Sequence, residues 1–283
     1  MPSSFTWSED GISSFVSWSF LGLRFTVARN GTIFFIFVSL FLSLSAEKLY
    51  AEDKSLAVTL ASLLRQSSVV ILGETHQKAE SPRLVADVVE SYLDAGGCLT
   101  VALEIASDQR AALDAGVQGI GPLSEVVIHP IIDHPAYRDM LGRLRDLRQA
   151  GKCLEVRAID SPREEPGPKD EWMAREVHKL ISSGPVLVVV GNLHAFKRIR
   201  WESGKDEPYL AERITRLGVQ VQSILQEWDP DCEIRKGLLL GTRHPRAVYA
   251  FRSIMSPVAA HPYKPPEEAT DYVVMWECDE KER

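Results

Sequence analysis

Basic residues are in deficit. Against 39 Asp and Glu stand 32 Lys and Arg, a net charge of −7, which excludes a protein that grips nucleic acid by neutralising phosphates and a polybasic binder of anionic membranes. Glycine and proline number 18 and 16, far too few for a collagen-like chain. With 45% hydrophobic and 25% charged residues, the balance is that of a folded soluble protein, not of a disordered one or a coiled coil. The four cysteines form no Cys-x-x-Cys, which removes the structural zinc knuckle. A Gly-x-Ser-x-Gly elbow, a Walker A loop and a Gly-x-Gly-x-x-Gly fingerprint are missing too. With them go the signatures of a serine hydrolase, a P-loop enzyme and a dinucleotide dehydrogenase.

Phenylalanine is scarce where a core should be. Eight of the ten lie in residues 1–46, leaving Phe196 and Phe251 for the remainder. Thr32–Ala46, TIFFIFVSLFLSLSA, carries no charge, follows Arg24 and Arg29, and ends in small residues. At about 14 apolar residues the run is built like a secretory signal, and it falls short of the roughly 20 that a membrane-spanning helix needs. Cleavage after Ala46 or Ala51 fits; left uncleaved, the segment would tether the chain to a membrane. The sequence therefore predicts an exported protein, periplasmic or membrane-tethered. Residues 1–46 are read as signal peptide or N-terminal hydrophobic segment, and 52–283 as one domain of ordinary size. Cys98, Cys153, Cys232 and Cys278 all fall in that domain, and an even number in an exported chain permits two disulfides. Cys98 and Cys153, in the near-identical AGGCLTVALE and AGKCLEVRAI, read equally as buried thiols at strand starts.

Val69–Leu72, Thr100–Leu103, Leu154–Ile159, Val186–Val190 and Val219–Leu225 are short Val, Ile and Leu runs without polar alternation, as in strands buried on both faces of a parallel sheet. Between them the sequence predicts helices. One is opened by Ser81-Pro82 and stopped by Gly96-Gly97; others cover Asp133–Ala150, Asp170–Ser182 and Glu207–Leu217. The fold class is α/β, in three layers, a mostly parallel sheet with helices on both faces. Near the C-terminus Glu233–Leu240, Val248–Ser253 and Tyr272–Glu277 read as strands with no helix between them, extending the sheet antiparallel at one edge. His261–Pro266 is a Pro-rich loop, and residues 161–169 read as an exposed flap.

The functional signal lies in the residues just past each strand. The five runs lead into Gly73-Glu74-Thr75-His76, Glu104, Asp160, Gly191-Asn192-Leu193-His194 and Gln226-Glu227, all at the carboxyl edge where open α/β sheets bind ligands. One carboxylate at a strand end is ordinarily a cap or turn residue, and Asp160 and Glu227 read that way. Two Gly-x-x-His copies after Val-rich strands do not. Glycine lets the backbone turn sharply or approach a ligand closely, and the histidine can then point back over the edge. A third copy, Gly241-Thr-Arg-His244, precedes Pro245 and reads as a hairpin turn. His129 and His134 read as loop residues, and His178 as helix surface or packing. The candidate site is thus His76, His194, Glu74 and Glu104. Those four are the ligand set of zinc, manganese or a similar ion, which would turn a bound water into a nucleophile. Without metal, a Glu–His pair can serve as general base.

In order along the chain, VVILGETH (69–76), VALE (101–104), DEWMAREV (170–177) and VVVGNLHA (188–195) resemble the signature segments of the erythromycin esterase/ChaN-like superfamily. Its more distant Tiki and TraB members carry similar paired Gly-x-x-His motifs. The likeness spans most of the domain, and export, size and the GNLHA form favour the ChaN-like, haem-binding-uptake branch. That branch implies binding of haem or an iron-linked ligand in iron acquisition, with tyrosine on the iron; Tyr209, Tyr92, Tyr137 and Tyr263 are candidates. The esterase branch implies that His76 activates water with glutamates beside it, and the Tiki-like branch a metal-dependent protease, so hydrolysis of an ester or peptide is the alternative. Under every branch His76, Glu74, Glu104 and His194 are the shared site. Arg175, on the bordering helix, would contact a carboxylate or anionic ligand, and with His76, His194 and Tyr209 it would bind the haem cofactor. The expected partner is a small molecule and no nucleic acid, with a homodimer sandwiching ligand between flaps as a further expectation. One departure from a ChaN-type surface protein is the missing lipoprotein cysteine.

Overall fold

The computed structural model describes residues 16–20, 23–27, 55–164, 168–201, 207–229, 232, 234–256, 260–262 and 266–278. The apolar run 32–46, both cleavage positions, the middle of the expected flap and Tyr263 lie outside them. Two compact units divide the chain, Met1–Glu52 and Asp53–Arg283. In the first, β1 (Val16–Phe20) pairs antiparallel with β2 (Leu23–Val27).

The second unit begins with α1 (residues 55–64). Then come β3 (Val69–Glu74), α2 (Glu80–Asp94), β4 (Leu99–Ala106), α3 (Arg110–Gln118), α4 (Pro135–Gln149), β5 (Leu154–Asp160) and α5 (Lys169–Leu180). β6 (Val186–Gly191), β7 (Ile199–Trp201), α6 (Leu210–Arg216), β8 (Val221–Trp228), β9 (Arg235–Gly241), α7 (Pro245–Met255), β10 (Ala260–Pro262) and β11 (Tyr272–Cys278) complete it. Seven strands form one sheet in the order β5-β4-β6-β3-β8-β11-β9, and β7 pairs separately with β10. The central strands β3 and β6 are buried at every position, which is why their runs show no polar alternation. Two cores sandwich the sheet. Leu60, Val85, Val89, Leu113 and Leu141 from α1 to α4 belong to one; Met173, Val177, Ile214 and Phe251 from α5 to α7 belong to the other. Phe196 and Phe251 meet edge to face there, 6.4 Å between centroids. The fold is the expected mostly parallel α/β sheet.

The C-terminal part departs from expectation. Val248–Ser253 is not a strand but the middle of α7, with Pro245 in its first turn and Ala247, Ala250, Phe251 and Met255 buried along one stripe. His244 is therefore a helix N-cap, not a hairpin residue; its Nδ1 accepts from the Arg246 N–H at 3.3 Å. β11 joins β8 in parallel, and only β9 runs antiparallel to it at the edge.

The cysteines pair as Cys98–Cys153 and Cys232–Cys278. Cys98 and Cys153 immediately precede β4 and β5, so the first bond staples two adjacent parallel strands at the amino edge of the sheet. Among the described residues no helix is long and apolar enough to cross a membrane.

Candidate active site at the carboxyl edge of the sheet

β3 and β6 are neighbours in register, Glu74 beside Gly191, so the two Gly-x-x-His segments leave the sheet side by side. Gly73 permits this closeness: a Cβ there would lie 2.6 Å from Asn192 Oδ1 and 3.0 Å from Ala195 Cβ. Gly191 sits against both imidazoles, since its Cβ would meet His76 Nε2 at 3.1 Å and His194 Cδ2 at 3.7 Å. Glu104 arrives from β4, on the far side of β6. There the β4–β5 register shifts between Leu103 and Ala106, an irregularity of the kind that re-aims a side chain, and the Gly191 N–H donates to Glu104 Oε2 at 2.7 Å.

His76 Nδ1 lies 3.1 Å from Oε1 of the buried Glu74. The other Glu74 oxygen accepts from Ser81 Oγ at 3.4 Å. A neutral His76 donating Nδ1–H to Glu74 keeps its lone pair on Nε2. Its pKa stands above the ordinary imidazole value: the Glu74 hydrogen bond outweighs burial, and the charges of Glu74 and Glu104 add to it against Lys169.

A second cluster adjoins it. Lys169 Nζ contacts Glu104 Oε1 at 2.6 Å and Asp160 Oδ2 at 3.1 Å. His194 Nδ1 meets Asp170 Oδ1 at 2.6 Å, and its Nε2 is 3.7 Å from Glu104 Oε1. Asp170 is fixed in turn by the Leu210 N–H at 2.8 Å. Burial pulls the His194 pKa down, but Asp170 and Glu104 more than compensate and hold it raised. Burial would raise the Glu104 carboxyl, yet His194, Lys169 and the Gly191 N–H keep it low. Lys169 likewise keeps its proton despite burial, through Glu104 and Asp160.

His76, Glu74, Glu104 and His194 are thus assembled at one rim. Lys169, Asp170 and the cap-like Asp160 join them, and sequence reasoning did not assign these three to the site. A usable signal existed: in a parallel sheet the first turn of a crossover helix starts at the carboxyl edge, where Lys169 and Asp170 open α5. Arg175 is not in the cluster. It is exposed, its guanidinium 5.2 Å from the centroid of the Trp172 ring. Tyr209 precedes α6 with its ring edge-on to His194 at 5.8 Å, and burial, then Asp170, pushes its phenol up to about 12. Tyr92 and Tyr137 are buried. Behind the loops, Gln226 Nε2 donates to the Gly73 carbonyl at 2.7 Å and Ser81 Oγ at 2.9 Å, and Asn192 Nδ2 to the Gln226 carbonyl at 2.7 Å. Glu227 turns away toward Ser253.

The donor set as assembled does not fit a divalent cation. Glu104 already carries an ammonium at 2.6 Å, and the Nδ1 of His194 is committed to Asp170; a metal would enter against a resident positive charge. Among the described residues three ligand atoms come close enough for a metal at Asp229, Cys232 and Cys278, where both sulfurs are in a disulfide. For haem iron, His76 Nε2 is the ring nitrogen left open, with Nδ1 oriented by a carboxylate.

Neither a protein-family model nor a curated protein sequence matches the chain. Solved structures match its fold. A mutant erythromycin esterase, EreC, in its open conformation superposes with a TM-score of 0.58 at 12% identity, covering 78% of this chain and 94% of that one. The chain has the erythromycin esterase fold. A Bacillus cereus protein superposes with a TM-score of 0.50 at 13% identity, over 74% of this chain and 88% of that one. ChaN of Campylobacter jejuni, described with cofacial haem binding, reaches 0.49 at 11% identity, over 77% and 91%. At these identities the likeness is one of fold alone.

Proposed function

We propose that the chain is a hydrolase in which His76 activates water. The observation that carries this reading is the Glu74–His76 pair: a buried carboxylate holding Nδ1 at 3.1 Å and an imidazole that keeps Nε2 free at a partly open rim. In the step proposed, His76 Nε2 takes a proton from water while the water oxygen attacks an acyl carbon. The negative charge growing on the acyl oxygen is met by the Lys169 ammonium and a protonated His194, both kept charged by Glu104, Asp160 and Asp170. Collapse breaks the bond to the leaving group, which takes the proton back from His76. The fold likeness to an esterase supports this reading. The test is a panel of 4-nitrophenyl esters and peptides. His76→Ala should lose about 10²-fold or more in rate with an unchanged circular dichroism spectrum; a confirmed hydrolysis indifferent to that change would sink the proposal.

A second reading, binding of haem or an iron-linked ligand in uptake, has the open, carboxylate-oriented Nε2 of His76 in its favour. Haemin titration followed at the Soret band tests it. A saturating shift lost in His76→Ala supports uptake, and no specific shift ends it. We also read residues 52–283 as one domain of an exported chain, a reading supported by two disulfides of the kind that persist in oxidising compartments.

A further inference from the structure

Between α3 and α4 the chain makes one short 3-10 turn, Leu123–Glu125, and then runs irregularly to α4, and two amide side chains hold this irregular stretch. Gln77, the residue after His76, adopts a left-handed φ of 68° and donates to the carbonyls of Pro130 at 3.2 Å and Ile131 at 2.8 Å. Left-handed backbone is costly for a non-glycine residue, so this clamp is maintained against strain. Gln109, just past the end of β4, accepts from the Val127 N–H at 2.9 Å. Arg138 fixes the same stretch from behind, reaching the carbonyls of Leu123 and Val126 at 2.9 and 3.1 Å. The segment is therefore pinned between the exits of β3 and β4, which supply Glu74, His76 and Glu104.

Val126, Ile128 and Ile132 are buried in the core below, while Val127 and Ile131 each stand 51% exposed. Two branched apolar side chains held rigidly in water beside a charged site form a contact surface for apolar substrate. The charge at the rim narrows the class further. Four carboxylates (Glu74, Glu104, Asp160 and Asp170) face one ammonium and two imidazoles, and the balance stays negative even with both imidazoles protonated. A substrate bringing phosphate, sulfate or carboxylate would be repelled.

Building on the hydrolase reading, we propose that the substrate is a neutral ester whose aliphatic acyl chain lies along the wall made by Val127 and Ile131. Burial of each methylene is worth about a three- to fourfold gain in kcat/KM, until the wall is covered.

The full chain is assayed with 4-nitrophenyl acetate, butyrate and hexanoate, and with the 4-nitrophenyl monoester of glutarate, which ends in a carboxylate. The expected result is a steep rise from acetate to hexanoate, a slower glutarate than butyrate, and a flattened slope in the Val127→Ser/Ile131→Ser variant. A flat series with His76-dependent hydrolysis overturns the substrate class and leaves the hydrolase. Hydrolysis that survives His76→Ala overturns the hydrolase reading itself. The wall then has its own readout, the methyl chemical shifts of Val127 and Ile131 on titration with hexanamide and with acetamide. Equal or no response to the two amides overturns the inference whatever the activity, and a selective response to hexanamide upholds it.

Discussion

Tyr137 lies in the first turn of α4, wholly buried, with its hydroxyl unpartnered. A buried O–H without an acceptor costs about 1–3 kcal/mol, and here burial together with the nearby charges of Glu74 and Glu104 pushes the phenol well above its ordinary pKa. Tyr137→Phe removes only that oxygen, so urea unfolding should show stability unchanged or raised; a loss of about 1 kcal/mol or more would mean that the hydroxyl has a partner in the working protein. The two imidazoles behave differently. Both pKa values are raised, yet the proposed reaction needs His76 neutral and His194 charged. The kcat/KM profile should be bell-shaped: activity falls below the raised value of His76, on the acid side, and falls again as pH rises through that of His194. Asp170→Asn keeps an oxygen acceptor but removes the negative charge that helps to raise His194, so the alkaline limb should move to lower pH while the acid limb stays. Movement of the acid limb instead would reverse the two roles.

At the scale of elements, the site depends on how closely the exits of β3 and β6 approach. A Cβ on Gly191 would press on His76 Nε2 at 3.1 Å, and a ring on a partly open rim can swing away. Gly191→Ala is therefore predicted to reduce kcat/KM at least about tenfold, as a displaced general base does, with little change in stability. A Cβ on Gly73 would instead meet Asn192 Oδ1 at 2.6 Å and Asn192 Cα at 3.0 Å, inside a braced network. Gly73→Ala should destabilise by about 1–3 kcal/mol, read by urea unfolding. A reversed pattern, stable Gly73→Ala and unfolded Gly191→Ala, would show that the strain lies elsewhere. These exits were legible in the sequence, because uninterrupted Val and Ile runs followed by Gly-x-x-His have few other readings. The helix α7 was not. Val248–Ser253 is too short an apolar run for periodicity to separate strand from helix, and the helical spacing emerges only when Ala247 and Met255 are included. Lys169 was hidden for another reason. Its Pro-rich approach reads as a flap, whereas Arg175, the residue the resemblance points to, lies about 240° further round the same helix and so faces away.

The whole molecule keeps one of its two cross-links, Cys98–Cys153, apart from its chemistry. Cys98–Cys153 closes a separation of 55 residues at the amino edge of the sheet, whereas His76, Glu104 and His194 sit at the opposite, carboxyl edge. A disulfide acts mainly by restricting the unfolded chain, and one closing a loop of this length contributes about 2–4 kcal/mol. Replacing both cysteines, Cys98→Ser with Cys153→Ser, should therefore lower stability by that amount in urea. It should leave kcat/KM per folded molecule unchanged, because β4 and β5 remain paired and the register shift that aims Glu104 is at their far end. Measuring the two quantities on the same sample separates the cases. A fall in kcat/KM in the folded double variant would show that the position of Glu104 is transmitted along β4 from its amino end, and that the staple is part of the site's alignment rather than only of the chain's stability.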